Sequence, residues 1–272
     1  MIYFPNAKIN IGLNITEKRN DGFHTIETIF YPVKWCDIAE FIVNNESTPS
    51  FKHSGIPLDI SANEDNLCYK AYLLLKEDYR LPPLQFHLHK VIPVGAGLGG
   101  GSSDAAYTLY YLNDYFNLRL SLGRLANYAE KLGSDCPFFI NNKPTFATEK
   151  GNRLRNIELD LQDHYIVIVY PDLYISTKEA YSGIVPQKNN ESLETLIQSP
   201  VCEWRYAIKN DFETAIFKKY PEIEGIKKRL YNHGALYASM TGSGSSVYGI
   251  FDSPKNLASI FSENYQIWQG PL

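Results

Sequence analysis

The glycine-rich run from Gly95 to Ser103 constrains this chain more than any other feature of its sequence. Before it, Leu84–Lys90 alternates apolar and polar residues, which predicts a strand, and apolar residues at helical spacing follow it. Glycine lets the backbone approach a ligand closely, and a helix N-terminus adds unpaired N–H groups and a partial positive charge. A glycine run between a strand and a helix therefore indicates an anion site, most often for phosphate, rather than a flexible linker.

Three common nucleotide-binding loops fit the run poorly. It contains no lysine, so it lacks the Walker A pattern. Gly95, Gly97 and Gly100 match the dinucleotide fingerprint, but about ninety residues precede them, whereas that fingerprint opens the first βαβ unit. No HRD or DFG sequence follows, as a protein kinase would require. A dinucleotide-dependent oxidoreductase is therefore disfavoured.

Strands and helices interleave in both halves of the chain, which predicts an α+β fold. The sequence becomes charged and polar around residues 149 to 160, so we place a boundary there between two domains, 1–150 and 151–272. In the first half we expect a hairpin that turns at Asn20-Asp21-Gly22, a helix over 66–79, a helix that starts at Ser121, and a left-handed residue at Gly133. In the second half we expect strands over 165–170, 235–240 and 247–251, a helix capped at Ser176, helices over 204–219 and 222–232, and a last helix capped by Ser253-Pro254.

The composition and charge of the chain argue against nucleic acids and membranes as partners. The formal net charge is −4, which provides no electrostatic footprint for DNA or RNA. The cysteines Cys36, Cys68, Cys136 and Cys202 form no CxxC pair, so we expect free thiols in a reducing compartment. No segment approaches the ~20 apolar residues of a membrane helix, and the first residues do not resemble a signal peptide. We therefore expect a cytoplasmic protein with no membrane or nucleic-acid partner, and a monomer or weak homodimer.

Three motifs together resemble those of the GHMP kinases, a superfamily of small-molecule kinases that includes galactokinases and mevalonate kinases. The second motif of that superfamily is closely matched by Pro93-Val94-Gly95-Ala96-Gly97-Leu98-Gly99-Gly100-Gly101-Ser102-Ser103-Asp104. The first is matched by Ala7-Lys8-Ile9-Asn10, and the third by Thr241-Gly242-Ser243-Gly244-Ser245-Ser246. The motifs occur in the expected order and span almost the whole chain.

The resemblance implies a two-domain GHMP kinase fold, with a ribosomal S5-like N-terminal domain and a ferredoxin-like C-terminal domain. It also implies ATP as the phosphoryl donor, with Mg²⁺ arriving with ATP. Ser102 or Ser103 would touch the metal, but we see no carboxylate set for a dedicated cage and leave the metal ligands unassigned. The implied ATP-binding residues are Asn66, Pro93, Val94, Gly95, Ala96, Gly97, Leu98, Gly99, Gly100, Gly101, Ser102 and Ser103. Asn66, before a helix, is equally an ordinary N-cap.

The resemblance implies Lys8 and Asp135 as the catalytic residues. Asp135 precedes Pro137 in a turn, and an aspartate there is also a common turn former. The matching aspartate is the proposed base of the superfamily, whereas the matching lysine would keep that carboxylate ionised and stabilise the incoming oxygen. A lysine on such a strand is otherwise an edge charge. Whether Asp135 abstracts the proton or mainly orients the hydroxyl stays open at this point.

Two further segments resemble one member of the superfamily whose substrate is a CDP-linked alcohol: Arg19-x-Asp21-Gly22-Phe23-His24 and Gly133-Ser134-Asp135-Cys136-Pro137-Phe138-Phe139. This likeness implies that Phe23 and Tyr181 sandwich a cytosine while His24 contacts its edge. Phe23 stands where a tyrosine is usual, and Tyr181 is equally interpretable as a core aromatic. The implied substrate-binding residues are Asn10, Phe23, His24, Lys90, Thr177 and Tyr181.

Two rival functions remain. Another GHMP kinase would act on an alcohol without a base, for which an aromatic pair has no purpose. A non-catalytic nucleotide-binding protein of the same fold would not need both Lys8 and Asp135.

Overall fold

The computed structural model of the protein describes residues 1–44, 48–58, 65–188 and 191–272. The chain packs into two compact units, each assembled from separate segments. Unit 1 comprises Met1–Ala7, Trp35–Val94 and Gly99–Lys143, and unit 2 comprises Lys8–Lys34, Gly95–Leu98 and Pro144–Leu272. The N-terminal hairpin therefore packs with the C-terminal half of the chain. Packing units and sequence domains need not coincide, so the boundary near residue 150 stays a prediction.

The strands are β1 (Ile2–Tyr3), β2 (Asn6–Lys18), β3 (His24–Cys36), β4 (Ile38–Val43), β5 (Ser50–Gly55), β6 (Leu84–Lys90), β7 (Thr145–Thr148), β8 (Arg153–Asn156), β9 (Tyr165–Tyr170), β10 (Tyr237–Met240), β11 (Val247–Phe251) and β12 (Gln266–Pro271). The helices are α1 (Leu67–Asp78), α2 (Gly100–Tyr115), α3 (Leu122–Glu130), α4 (Cys136–Asn141), α5 (Thr177–Ser182), α6 (Leu193–Leu196), α7 (Val201–Ala207), α8 (Phe212–Lys219) and α9 (Pro221–Asn232), with a 3₁₀ turn at Ala258–Ile260.

Unit 1 is built around a mixed sheet in the order β1-β4-β6-β5, in which β6 pairs antiparallel with β4 and parallel with β5. The alternation of β6 is realised in space, because Leu84, Phe86 and Leu88 are buried while Gln85 and His87 are partly exposed. The sheet thus has one apolar face, and the helices α1 and α2 pack against each other with buried faces of their own.

Unit 2 contains the sheet β10-β11-β9-β12 and most of the sheet β2-β3-β7-β8. Strand β9 lies between β11 and β12, and its central residues Ile166, Val167, Ile168 and Val169 are buried, as the apolar run predicts. The helices α8 and α9 add Phe212, Ile216, Ile223 and Ile226 to the same core. This core supports both β2 and the loop after β10.

Several local expectations are confirmed. The hairpin turns at Gly22 with a φ of 83°, and β6, β9 and β11 begin and end where the sequence predicts. Asn66 caps α1, Ser121 caps α3, and Ser176 caps α5 by accepting the Glu179 N–H at 3.2 Å. These features are determined by neighbouring residues, so they are readable from short segments.

Three local expectations are wrong. The helix predicted over Trp204–Lys219 is interrupted at Ile208–Asp211, because this segment forms hydrogen bonds with β2 instead. The last helix after Ser253-Pro254 is only the 3₁₀ turn, and β12 follows it to pair with β9. Gly133 does not have a positive φ; a Cβ there would approach Cys136 Sγ to 3.4 Å, so the residue serves close packing.

Candidate active site

Lys8 lies on β2 in unit 2 and is 3% exposed. Its Nζ donates to Asn10 Oδ1 at 2.5 Å and to the Gly97 carbonyl oxygen at 3.1 Å, and it lies 5.0 Å from the centre of the Phe30 ring. Its backbone N–H donates to the Leu98 carbonyl at 2.9 Å. Lys8 is therefore a buried cation fixed by its own strand and by the glycine run, and the alternative of an edge charge does not hold.

Thr241 connects the third motif to the other two. Its hydroxyl lies 3.0 Å from the Gly97 carbonyl and 3.3 Å from Asn10 Oδ1, and it accepts the Asn10 N–H at 3.0 Å. Gly97 has a φ of +79°, and a Cβ at this position would lie 2.1 Å from the Thr241 carbonyl oxygen. Glycine at 97 is therefore required both by the backbone conformation and by the close approach of the two loops.

Both the nitrogen and the oxygen of the Asn10 side chain form hydrogen bonds within unit 2. Its Nδ2 donates to Thr28 Oγ1 at 2.9 Å, while its Oδ1 accepts from Lys8. The backbone carbonyl of Asn10 accepts a hydrogen bond from the Tyr248 hydroxyl at 2.8 Å. Asn10 thus orients the Lys8 ammonium, and its predicted contact with substrate stays a prediction.

The structure brings the side chains of His24 and Tyr181 together, and the sandwich of a cytosine between Phe23 and Tyr181 stays a prediction. The two rings are stacked, with centroids 4.6 Å apart and planes 17° apart, and Phe212 meets Tyr181 edge-on. Burial lowers the pKa of the His24 imidazole and nearby Lys18 lowers it further, which favours the neutral ring. One face of Tyr181 is therefore covered by His24 itself.

Phe23 is 59% exposed, and Lys150 Nζ lies 4.6 Å from the centre of its ring. The turn before it is held by Asp21, whose carboxylate accepts the Phe23 N–H at 3.1 Å and lies 3.5 Å from Lys150 Nζ. Thr177, the first residue of α5, is exposed and lies one helical turn before Tyr181. These residues of unit 2 present aromatic and hydroxyl groups to solvent.

In unit 1 the glycine run ends at the N-terminus of α2. Gly99 is the N-cap with a φ of 71°, and because it carries no side chain it cannot cap the first turn. Ser103 is fully buried, and its hydroxyl has no hydrogen-bond partner among the described residues. An uncapped N-terminus of a long helix, with hydroxyl groups in its first turn, is suited to binding an anion through backbone N–H groups.

Lys90, at the end of β6, is only 2% exposed and is held between two carboxylates. Its Nζ donates to Asp104 Oδ2 at 2.8 Å and to Asp37 Oδ2, and Asp37 Oδ1 accepts the Val91 and Ile92 N–H groups at 2.6 and 2.8 Å. Burial lowers the pKa of the Lys90 ammonium, but Asp104 and Asp37 outweigh this effect and raise it overall. Lys90 therefore anchors the strand end to α2, and its predicted contact with substrate stays a prediction.

Asp135 is the N-cap residue of α4, yet within the described part of the chain its carboxylate accepts no capping hydrogen bond. It is partly exposed, and the Ser134 hydroxyl donates to it at 3.5 Å. The next residue, Cys136, is hydrogen-bonded with Ser102, and burial raises the pKa of its thiol to about 11. The turn that carries Asp135 is thus packed against the first turn of α2.

The remaining predicted ATP contacts have ordinary local roles as well. Asn66 is 6% exposed, and its Oδ1 accepts the Cys68 N–H at 2.8 Å, which is the capping role considered above. Pro93 is buried and Val94 is 49% exposed. A Cβ on Gly95 would meet the Tyr174 ring at 2.5 Å, so this exposed aromatic lies directly on the glycine run.

Three residues at these sites were not anticipated from the sequence: Asp37, Asn210 and Glu213. Each is a buried polar residue that forms hydrogen bonds with backbone groups of a loop or of a strand end. The sequence signal was weak, because a polar residue after a strand or in a helical stretch is usually solvated. For Asn210 the sequence offered one indication, because the polar stretch Lys209-Asn210-Asp211 lies inside the segment predicted to be a single helix.

No group of three or more metal-ligating side chains (His, Cys, Asp or Glu) occurs within the ranges that the structure describes. No helix in these ranges is both long and apolar enough to cross a membrane.

Comparison with known proteins identifies the family. Residues 66–143 match the GHMP kinases N terminal domain, and residues 192–267 match the GHMP kinases C terminal domain. The 4-diphosphocytidyl-2-C-methyl-D-erythritol kinase of Bacteroides fragilis is 51% identical over 94% of this chain and 94% of its own. That of Parabacteroides distasonis is 48% identical over the full length of both. The chain belongs to the 4-diphosphocytidyl-2-C-methyl-D-erythritol kinase family of GHMP kinases.

Solved structures agree with this assignment. A crystal structure of 4-(cytidine 5'-diphospho)-2C-methyl-D-erythritol kinase, 27% identical, superposes with a TM-score of 0.85 over 99% of this chain and 98% of that one. The mevalonate kinase of Methanococcus jannaschii, 17% identical, shares the fold with a TM-score of 0.69 over 99% and 97%. As a GHMP kinase, the chain is an ATP-dependent small-molecule kinase with an α+β fold, and both predictions are confirmed.

Proposed function

We propose that this kinase transfers the γ-phosphoryl group of ATP to the 2-hydroxyl of 4-diphosphocytidyl-2-C-methyl-D-erythritol. The observation that carries the proposal is the buried Lys8 ammonium, which Asn10 and Gly97 hold in one position while Thr241 bonds to both. A fixed cation at the junction of three motifs suits a reaction in which negative charge develops on an attacking oxygen. The names of the relatives at about 50% identity supply the substrate.

The catalytic roles follow from the groups available. Phosphoryl transfer depends on positioning and charge stabilisation more than on covalent chemistry. In this proposal Asp135 accepts the proton of the hydroxyl or orients it, and Lys8 stabilises the negative charge that develops during the transfer. The N–H groups of the glycine run hold the phosphates of ATP, because this run ends at the uncapped N-terminus of α2.

The base of the substrate is bound by aromatic residues of unit 2. A cytosine between Phe23 and Tyr181 requires the His24 ring to turn away from Tyr181, after which the neutral imidazole has both a donor and an acceptor for the edge of the base. Thr177, Asn10 and Lys90 complete the proposed substrate-binding residues, with Lys90 facing a phosphate of the substrate.

Mg²⁺ fits the donor groups at the start of α2. Magnesium prefers oxygen ligands and keeps several from substrate phosphates, and Ser102 and Ser103 offer hydroxyl oxygens there. When bound with ATP, Mg²⁺ neutralises charge on the β- and γ-phosphates.

We further propose that the enzyme works in the cytoplasm as a monomer or weak homodimer, without a nucleic-acid partner. All four cysteines are free thiols, as suits a reducing compartment, and the net charge of −4 offers no footprint for a polyanion. Light scattering on the purified protein measures the oligomeric state directly.

An ATP-consumption assay over a panel of alcohols, with and without a CDP group, tests the substrate. We expect turnover only with the CDP-linked methylerythritol; turnover with an alcohol that lacks a base would favour another GHMP activity, and no turnover at all would favour a non-catalytic binding protein. Asp135→Asn should lower kcat by about 10²–10⁴-fold and leave ATP binding intact. The exposed Asp163→Asn is the matched control and should retain wild-type turnover.

A further inference from the structure

The segment Ile208–Asp211, which interrupts the predicted helix, lies along one edge of β2. The Leu13 N–H donates to the Lys209 carbonyl and the Asp211 N–H donates to the Leu13 carbonyl, both at 2.9 Å. The Ile15 N–H donates to Asp211 Oδ2 at 2.7 Å. The segment thus fixes the strand that carries Lys8 and Asn10.

The same segment also holds the start of the third motif. Asn210, 2% exposed, donates both hydrogens of its amide, one to the Met240 carbonyl and one to the Gly242 carbonyl, each at 2.8 Å. Its Oδ1 accepts the Phe212 N–H at 3.0 Å. The two carbonyls belong to the residues on either side of Thr241, so a single amide determines the direction of that turn.

Glu213 supports the turn from the other side of Met240. Its Oε1 accepts the Met240 N–H at 2.9 Å and the Ser239 hydroxyl at 3.2 Å, and its Oε2 pairs with Lys227 at 2.6 Å. Both backbone polar groups of Met240 are therefore bound by side chains of Asn210 and Glu213. Hydrogen bonds to a charged group are roughly twice as strong as neutral ones, which suits a rigid support.

We infer that Asn210, supported by Glu213, is a positioning residue that fixes Thr241 against Gly97 and Asn10. It acts through Thr241, whose hydroxyl bonds to the same Gly97 carbonyl that receives the Lys8 ammonium. A shift of the turn at Thr241 therefore disturbs the Gly97 carbonyl, which accepts the hydrogen bond from Lys8. The inference rests on the proposed function only for its effect on turnover of the CDP-linked alcohol, since the effect on the loop is independent of it.

The test compares Asn210→Ala with Tyr231→Phe. The control removes another side-chain hydrogen bond to β10, from the Tyr231 hydroxyl to the Ala238 carbonyl at 3.2 Å, without touching the turn. For Asn210→Ala we expect kcat to fall about 10- to 100-fold, because a misplacement of about 1 Å can cost 10²-fold. We also expect faster amide hydrogen exchange in residues 237–248. Tyr231→Phe should match the wild type in both measurements.

Two outcomes would overturn the inference: wild-type kcat and exchange in a folded Asn210→Ala variant, or losses no larger than those of Tyr231→Phe. If Asn210→Ala does not fold, Glu213→Gln replaces it, because glutamine keeps the shape and an acceptor for Met240. We expect it to lower kcat about 2- to 10-fold through the weaker neutral hydrogen bond and to speed exchange of the same segment; unchanged values would overturn the inference. Failure of the wild type in the alcohol panel would instead refute the proposed function, with the exchange result still deciding the role of Asn210.

Discussion

Gly97→Ala should destabilise the protein more than the same substitution at Gly95 or Gly101. The φ of +79° costs an L-residue roughly 1–2 kcal/mol. The new Cβ would lie 2.1 Å from the Thr241 carbonyl oxygen and 3.3 Å from that of Gly244, and such overpacking typically costs about 1–3 kcal/mol. The sum is about 2–5 kcal/mol, which at about 2–4 °C per kcal/mol lowers Tm by about 4–20 °C.

Two other glycines serve as controls because they separate backbone strain from collision. Gly95 has a similar φ of +67°, but its Cβ would meet the ring of Tyr174, which is 69% exposed and can rotate away. Gly95→Ala should therefore cost only the strain of about 1–2 kcal/mol. Gly101 has no positive φ, and its Cβ would lie 3.6 Å from Leu67, so Gly101→Ala should be neutral or stabilising by about 0.4–1 kcal/mol.

Thermal unfolding followed by circular dichroism gives the order of stability, and initial rates give the KM for ATP. We expect Gly101→Ala to melt at or above the wild type, then Gly95→Ala, then Gly97→Ala, with the ATP KM raised most in the last. If Gly97→Ala and Gly95→Ala had the same Tm, the contact of the new Cβ with Thr241 would have no energetic cost. The close packing of these two motifs would then be refuted.

Three further perturbations test individual roles. Lys8→Met should lower kcat more than it raises the KM for the alcohol, because an interaction that strengthens in the transition state appears in kcat; steady-state kinetics showing a change in KM alone would make Lys8 a binding residue. Tyr181→Ala should raise the KM for the CDP-linked alcohol roughly 5- to 150-fold, the equivalent of about 1–3 kcal/mol of base stacking, and an equal loss for ATP would count against this role. In alkylation at pH 8 followed by mass spectrometry, the exposed Cys202 should react first. Burial raises the pKa of the Cys68 and Cys136 thiols and so suppresses their reactive thiolates. Rapid labelling of Cys136 in the folded protein would contradict its burial.

The parts of the fold that were predictable are those determined by neighbours in sequence. The alternation along β6, the caps Asn66, Ser121 and Ser176, and the glycine run before α2 each depend on a few adjacent residues. The family-specific motifs singled out Lys8, but its hydrogen bond to Gly97 was not among the predictions. Local patterns and a family resemblance were enough for the fold class and the kinase activity.

The parts that were missed depend on residues far apart in the chain. Nothing near Asn210 indicates that its amide binds the carbonyls around Thr241, or that Leu13 pairs with it across about two hundred residues. The stacking of His24 on Tyr181 likewise joins a hairpin turn to a distant helix. A single sequence contains the residues of such pairs but not the pairing.

The pairing of Leu13 with Asn210 has a consequence for synthesis on the ribosome. At about 5–20 residues per second, the partner of this strand is translated roughly 10–40 s after the strand itself. During that interval Leu13 and Ile15, both buried in the finished protein, have no core to join, since their hydrophobic cluster is otherwise built mainly from residues 167–261, most of which have not yet been translated. The nascent chain therefore presents an apolar strand for most of its elongation, so we expect the N-terminal hairpin to be the segment that chaperones bind until the C-terminal half emerges.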